Sequence, residues 1–426
     1  MAAFLIRSVR RVYLGWWVVV GTMGLQLLQS ALFSQVFGVY VVALTGEFGW
    51  SKAALSGGFA LIQLLGGLIG PLQGHALERF GPRRVIALGI VLLGVGLAML
   101  GGVTSLIGFY AALFVVGLGI SLTGFLSVTT AIVPWFHRRR STALAWMALG
   151  ASIGGLLVPL VAGAVVAFGW RPTVVLSGVL MVAIGLPCAA LIRRDPQRYG
   201  LRVDGGPRDF PDPARGAITV PVRDPEHDFT LRQAMRTRAF WALGIGHAAA
   251  LLVVSAVVVH LVPHLTEAAG MSLTGAASVV ALLTVMTAVG QVLGGLLGDR
   301  FDKRRLAMGA MFAHGGALLA LAWLTPALGI VVFVVLHGLA WGVRGPLMGA
   351  MRADYFGASH FGSIMGVSTL IFMVGQLLGP VIAGVMADVF GDYGWGFTLL
   401  AGLAIAGSVA FRLATPPPPH APTSAT

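Results

Sequence analysis

The amino-acid sequence predicts an all-α membrane protein of twelve transmembrane helices arranged as two pseudo-symmetric six-helix bundles. Three observations carry that expectation: an apolar content too high for a soluble domain, twelve separate apolar runs, and a repeat that lays the second half of the chain on the first. Of 426 residues, 57% are hydrophobic and 10% charged, whereas a soluble domain carries about 25% charged residues. Mean hydropathy is +0.90. A bilayer span uses about 20 apolar residues, so twelve spans consume nearly the whole apolar supply. The net charge of +13 would suggest nucleic acid in a soluble chain. Here the basic residues lie between the apolar runs, so the charge reports topology and no nucleic-acid partner is expected. The single cysteine, Cys188, permits no internal disulfide and no cysteine-rich metal site.

In chain order, the run from Tyr13 to about Leu44 is too long for the apolar core of a secretory signal and reads as a retained span. Further runs at 53–73, 85–102, 107–134, 142–168 and 172–192 complete a first bundle over residues 1–192. Residues 193–237 mix arginines, acidic residues and prolines, which makes them a solvated cytoplasmic linker and not a further span. Runs at 238–265, 273–297, 306–325, 329–352, 361–390 and 395–413 build a second bundle over 238–413. Residues 414–426, with four consecutive prolines, read as a disordered tail. With both termini cytoplasmic, 25 Lys and Arg residues fall inside, Arg7, Arg10 and Arg11 among them, and only Lys52 and Arg171 outside. The positive-inside rule then gives a multi-pass protein of the plasma (inner) membrane with both termini in the cytoplasm.

The halves repeat at a constant offset of 221 residues. Gly74, Glu78, Arg79, Arg83 and Arg84 fall on Gly295, Asp299, Arg300, Arg304 and Arg305. Gly49 and Ser51 fall on Gly270 and Ser272, Gly117 and Gly124 on Gly338 and Gly345, Pro159 and Gly163 on Pro380 and Gly384. Chance does not hold one register across so many loops and helices, and two like-oriented bundles related by an axis along the membrane normal follow.

On these residues the chain resembles the major facilitator superfamily, over nearly its whole length. Gly74-His75-Ala76-Leu77-Glu78-Arg79-Phe80-Gly81-Pro82-Arg83-Arg84 is similar to that family's loop motif between helices 2 and 3, and Gly295 to Arg305 to its second copy, with Asp302 in place of a glycine. The resemblance implies that Glu78, Arg79, Arg83, Asp299, Arg300 and Arg304 latch the inward-closed arrangement. It also implies that helices 1, 4, 7 and 10 line a central cavity. Trp135-Phe136-His137-Arg138-Arg139-Arg140-Ser141-Thr142-Ala143, followed by Gly150 and Gly154, is similar to the helix 4 to 5 signature of monocarboxylate and oxalate/formate porters, as is Leu14-Gly15-Trp16-Trp17. Where those porters often place an anion-binding arginine in helix 8, this chain has Gln291.

A charge at mid-bilayer costs about 2.5–3.5 kcal/mol, so a retained one needs a reason. Arg344 is the one that stands out. It lies about eight residues, or roughly 12 Å, from the cytoplasmic end of its run, with no acidic residue in the run before Asp354. A guanidinium offers two parallel donors to a carboxylate; the plainer reading is an arginine bonded to backbone carbonyls. His337 and Trp341 share its helix face, and His337 is the candidate for proton coupling. Thr284, Thr287 and Gln291 form a polar stripe on helix 8; Gln26, Gln29, Phe33, Phe37 and Tyr40 form a face on helix 1; His247 is a further cavity candidate in helix 7. His260 and His264 have the one-turn spacing of metal ligands but no third partner, so no metal site and no cofactor are expected. Small-xxx-small faces at Gly66/Gly70, Gly150/Gly154, Gly290/Gly294/Gly298 and Gly375/Gly379 mark helices 2, 5, 8 and 11 for close packing, the helices that meet across the bundles in the resembled fold.

The leading expectation is a secondary active transporter of a small organic anion, a monocarboxylate foremost, working by alternating access as a monomer. Arg344 would bind the carboxylate, Gln291 and Gln29 its polar atoms, Trp341 and Phe33 its apolar part. An exporter of neutral or lipophilic compounds and a non-transporting ligand sensor are the alternatives. No nucleophile with base, phosphate loop or metal cluster supports an enzyme.

Overall fold

Twelve helices long and apolar enough to cross a membrane run through the computed structural model, which describes residues 13–205, 228–267 and 269–418. Arg7, Arg10 and Arg11, the middle of the linker and the last eight residues of the tail lie outside the described residues. The first bundle comprises α1 (Leu14–Phe48), α2 (Gly57–Phe80), α3 (Pro82–Gly101), α4 (Leu106–Trp135), α5 (Arg140–Phe168) and α6 (Trp170–Leu191). The second comprises α7 (Arg238–Glu267), α8 (Gly275–Gly298), α9 (Lys303–Trp323), α10 (Pro326–Phe356), α11 (Phe361–Phe390) and α12 (Gly394–Leu413).

Repeated residues do repeated local work. Gly49 and Gly270, at φ 66° and 63°, adopt the left-handed conformation that side chains resist. Two residues later Ser51 and Ser272 accept the amides of Ala54 and Gly275, capping the next helix. Asp302, the departure in the second loop motif, caps α9 by accepting the amides of Arg304 and Arg305, a substitute for the turn that glycine makes in the first copy.

Packing is duplicated as well. Helix α1 lies against α5 and α6, α2 against α4, and α3 against α4 and α6; in the second bundle α7 lies against α11 and α12, α8 against α10, and α9 against α10 and α12. Each bundle has its own apolar core. The bundles meet through two symmetry-related pairs, α2 with α11 and α5 with α8.

Three features differ from the sequence expectation. The first concerns the glycine faces. Gly150 and Gly154 sit on α1 at Met23 and Leu27, Gly290 and Gly294 on α10, and Gly375 and Gly379 on α7, so these faces tighten each bundle internally. Of the named glycines, Gly70 and Gly298 approach the other bundle, at Thr369 and Ser141, and Gly74 and Gly295 join them: a Cβ on Gly74 would overlap the Gly362 carbonyl, and one on Gly295 would lie 2.6 Å from the Ala145 side chain. Second, helices of the first bundle are broken where their counterparts continue. A π-helical turn at Ser30–Ser34 interrupts α1, an extended residue at Gly124 interrupts α4, and α5 restarts at Val158 ahead of Pro159. Third, the linker is docked at both described ends. Asp204 accepts the amides of His137 and Arg138, and Asp228 those of Ala358 and Ser359, positions related by the same 221-residue offset.

Gly150→Leu should lower the thermal unfolding midpoint in detergent, because overpacking costs about 1–3 kcal/mol and a Cβ there overlaps the Met23 carbonyl. Gly163→Leu, where nothing lies within 4 Å of the added atom, should leave the midpoint unchanged.

Candidate functional site

A cavity of about 420 Å³ opens between the bundles, walled by α1, α2 and α4 on one side and α7, α10 and α11 on the other. The chain breaks of the first bundle help to build it. At the interruption the Ser121 carbonyl accepts the Gly124 amide at 3.2 Å in a tightened last turn and also Gln73 Nε2 at 2.7 Å; the same side-chain amide reaches Ser127 Oγ at 2.9 Å. Gly124 and its repeat partner Gly345 both face the cavity.

Arg344 lines this space and is 1% exposed. Helix α10 runs on to Phe356, so the Arg344 Cα lies about 18 Å from the helix end by a rise of 1.5 Å per residue, further from that end than the shorter run suggested. Its Nε and Nη1 are buried and meet no acceptor among the described residues. The backbone-bonded arginine is instead Arg352, whose Nη1 donates to the Met348 carbonyl at 2.9 Å and Nη2 to that of Leu243 at 3.3 Å. Its guanidinium lies 4.8 Å over the Phe372 ring.

Of the side chains read from sequence, Trp341, Gln29 and His247 join Arg344 in the cavity wall. Thr123 Oγ1 donates to Gln29 Oε1 at 3.3 Å. The His247 ring packs 4.0 Å from Phe372, with Nδ1 buried and unpartnered among the described residues.

Four candidates lie elsewhere. Phe33 and Tyr40 point into the core of the first bundle. The π-helical turn after Gln29 inserts an extra residue, which rotates everything beyond it by about 100° and takes the lower half of that face away from the cavity. His337 pairs Nδ1 to Nδ1 with His314 at 3.1 Å and stacks on Phe333, facing α9. It shares a helix face with Arg344, but seven residues further along the axis the tilted helix meets a different neighbour. Gln291 accepts Ser152 Oγ at 3.0 Å, a bond from α8 to α5. Thr284 and Thr287 donate to carbonyls of their own helix. His260 bonds the Pro380 carbonyl at 2.9 Å while His264 packs on Phe397 and Tyr393, so the two imidazoles are separately engaged.

Gln63 and Gln376 also line the cavity and are not among the residues expected from sequence. The signal was present, since an amide in an apolar span is itself costly unless bonded.

At the basic end the bundles are fastened by carboxylates on helix N-termini. Glu78 accepts the Ser363 amide at 2.7 Å in the first turn of α11. Asp299 accepts those of Ser141 and Thr142 at 2.8 and 3.0 Å in the first turn of α5. Glu78 with Ser363 and Asp299 with Thr142 are the same contact, 221 residues apart. Each carboxylate meets unpaired amides and the positive end of a helix dipole belonging to the other bundle. Arg140 of α5 adds an ion pair to Asp354 of α10, which Lys303 also meets at 2.9 Å. The motif arginines stand apart from this contact: Arg79, Arg83 and Arg300 are exposed, and Arg304 pairs with Asp302 in its own loop at 3.3 Å. Toward the far end the bundles part, and Val158–Phe168 of α5 has no buried residue.

The sequence profile of the Major Facilitator Superfamily matches residues 23–261 and 243–426. The agnestins efflux protein AgnL12 of Paecilomyces divaricatus is 27% identical over 397 residues, 90% of this chain and 84% of that one. Monocarboxylate transporter 13 of Bos taurus is 28% identical over 409 residues, 92% of this chain and 88% of that one. The crystal structure of the human organic anion transporter MFSD10 (TETRAN) is similar with a TM-score of 0.71 at 16% identity, over 93% of this chain and 98% of that one.

Removing both cross-bundle caps, Glu78→Gln with Asp299→Asn, should loosen the basic end. A cysteine at Thr369→Cys in a Cys188→Ala background should then react with a thiol reagent from that side about tenfold faster or more, since a bond to a charged acceptor contributes about 1.5–3 kcal/mol. Unchanged labelling would show that closure does not depend on these caps.

Proposed function

The chain belongs to the Major Facilitator Superfamily of membrane transporters and is not an enzyme, and on that premise we propose that it carries a small organic anion, a monocarboxylate foremost, by alternating access. The observation that carries the reading is the guanidinium of Arg344, deep between two bundles, 1% exposed and with Nε and Nη1 unmatched among the described residues. An unpaired buried cation is unfavourable, and an arriving carboxylate supplies both the charge and the acceptors it lacks. Gln29 stands beside it for polar atoms and Trp341 for apolar ones.

The basic face is read as cytoplasmic, which places both termini there and the protein in the plasma membrane with its arginines inside. Glu78 and Asp299 then close the cytoplasmic side, and the cavity faces outward. Rocking to the inward state breaks two equivalent carboxylate caps together. Both bundles of one chain contribute to the cavity wall, and we read the protein as a monomer.

Proton coupling, first assigned to His337, passes to His247. It is the imidazole in the cavity wall, whereas His337 is occupied by His314 behind it. A proton on His247 shares the space with Arg344 and is tolerated best when an anion is present, which ties one proton to one anion. Export is the second reading, favoured by the agnestins efflux relative; the same site serves either direction, because gradients set the sense of flux.

Arg344→Gln should cut uptake of labelled lactate or pyruvate into proteoliposomes about 30-fold or more, as truncating one partner of a buried charge pair costs about 2–5 kcal/mol. Its thermal midpoint should be equal to or above that of the parent protein, since an unpaired buried charge has gone. Normal uptake by this variant would overturn the anion reading. Parent uptake should rise as external pH falls, and His247→Gln should flatten that profile while retaining exchange of anion for anion.

A further inference from the structure

The cavity holds more hydrogen-bonding capacity than a carboxylate uses. Amides from three helices and both bundles face it: Gln26 and Gln29 of α1, Gln63 of α2 and Gln376 of α11. Gln26 Oε1 and His247 Nδ1 are buried without a partner among the described residues. Gln63 and Gln376 make no hydrogen bond to another described residue, in contrast to Gln73, which is held by Ser121 and Ser127. The buried pair, Gln26 Oε1 and His247 Nδ1, is unfavourable until a ligand meets it, and the half-buried amides of Gln63 and Gln376 stand free to bond one.

Charge, by contrast, is provided once. Arg352 is committed to two backbone carbonyls and the Phe372 ring, and no Lys, Asp or Glu lines the cavity among the described residues. A second carboxylate on the cargo would find no cation, and an ammonium would find no carboxylate and would face Arg344. The space, about 420 Å³, corresponds to about fourteen water volumes at roughly 30 Å³ each. A three-carbon acid would fill a small part of it. Trp341 and Phe125 supply aromatic surface beside the amides, suited to the C–H side of a carbon skeleton.

We infer that the cargo is a hydroxylated monocarboxylate with a skeleton of more than three carbons: one carboxylate for Arg344, several hydroxyls for the glutamine amides and His247, and a C–H face against Trp341. Hydroxyls fit this wall because each donates and accepts, and so matches a glutamine amide in either orientation. The inference rests on the organic-anion reading above and narrows it.

Full-length protein in proteoliposomes tests it with three hydroxylated monocarboxylates of different shape, gluconate, glucuronate and quinate. Hexanoate lacks the hydroxyls, lactate is small, glucarate has two carboxylates and glucose has none. At least one of the first three should be taken up with an apparent affinity about tenfold or more above hexanoate, lactate, glucarate and glucose, since a site built for hydroxyls rejects analogues that lack them. Gln63→Leu with Gln376→Leu should remove that preference while an unaltered elution profile and thermal midpoint in detergent report that the variant folds; a retained preference in the folded variant would overturn the inference. Uptake of lactate or hexanoate equal to or above all three, still abolished by Arg344→Gln, would overturn this inference and leave the anion reading standing. Uptake of glucose alone, or insensitivity of every acid to Arg344→Gln, would sink both.

Discussion

A guanidinium buried deep between two helical bundles without a fixed counter-ion is the constraint around which this transporter is organised. In hydrocarbon a cation must be neutralised, carried to the interface or met by something negative. Arg352, two turns closer to the basic end, takes the first course with backbone carbonyls and an aromatic face. Arg344 does not, and what surrounds it is a cavity and not a core. The repeat sharpens the contrast. At the position equivalent to Arg344 the first bundle carries Thr123, which bonds back into α4 and to Gln29. Two bundles built to one plan therefore present an uncharged wall and a charged wall to the same space, and the binding chemistry is asymmetric although the scaffold is not.

In the proposed alternating access, opening and closing would depend on the parts that remain symmetric. The carboxylate of each loop motif caps the first turn of a helix in the opposite bundle, so one interaction is used twice across the pseudo-twofold axis. Such a cap is directional and lies near water, where hydration can replace it when the bundles separate. The glycine faces inside each bundle have the opposite character: they bring backbones into contact along α1–α5, α8–α10 and α7–α11, which makes each bundle a rigid unit. Between the bundles the carboxylate caps stand beside close glycine contacts and one apolar cluster that joins Leu77 and Val133 to Phe361 and Met365, and rocking of two bodies would have to part all three. The docked ends of the linker, with Asp204 and Asp228 on equivalent loops, follow the same division, one end to each bundle.

Much of this was legible in the sequence. Apolar supply, basic loops and the 221-residue register gave the twelve spans, the duplication and the pairing of Glu78 with Asp299. Arg344, Trp341, Gln29 and His247 were reached because polar side chains in apolar runs are rare and need explanation. The misplaced candidates fail for stated reasons. Phe33 lies within, and Tyr40 beyond, a π-helical turn that an ideal helical wheel does not contain, and His337 lies at a height on α10 where α9 is the neighbour. Gln63 and Gln376 are isolated amides in apolar runs with no second polar residue one helical turn away to mark a face, and only the packing shows that they meet at one cavity.

The sequence by itself determined the solvent this protein folds in, the number and direction of its helices, its internal duplication, and the presence of one costly cation. Those properties are written residue by residue in hydrophobicity and register, which are local or periodic quantities. Only the tertiary structure decided which of two deep arginines stays unneutralised and which face of α1 survives its bend. It also decided that the carboxylates of the loop motifs, and not the arginines of those motifs, reach across to the other bundle, and which amides look into the cavity. Each of these depends on what a different helix places opposite, and the identity of that neighbour is a property of the packed molecule that no single run of residues contains.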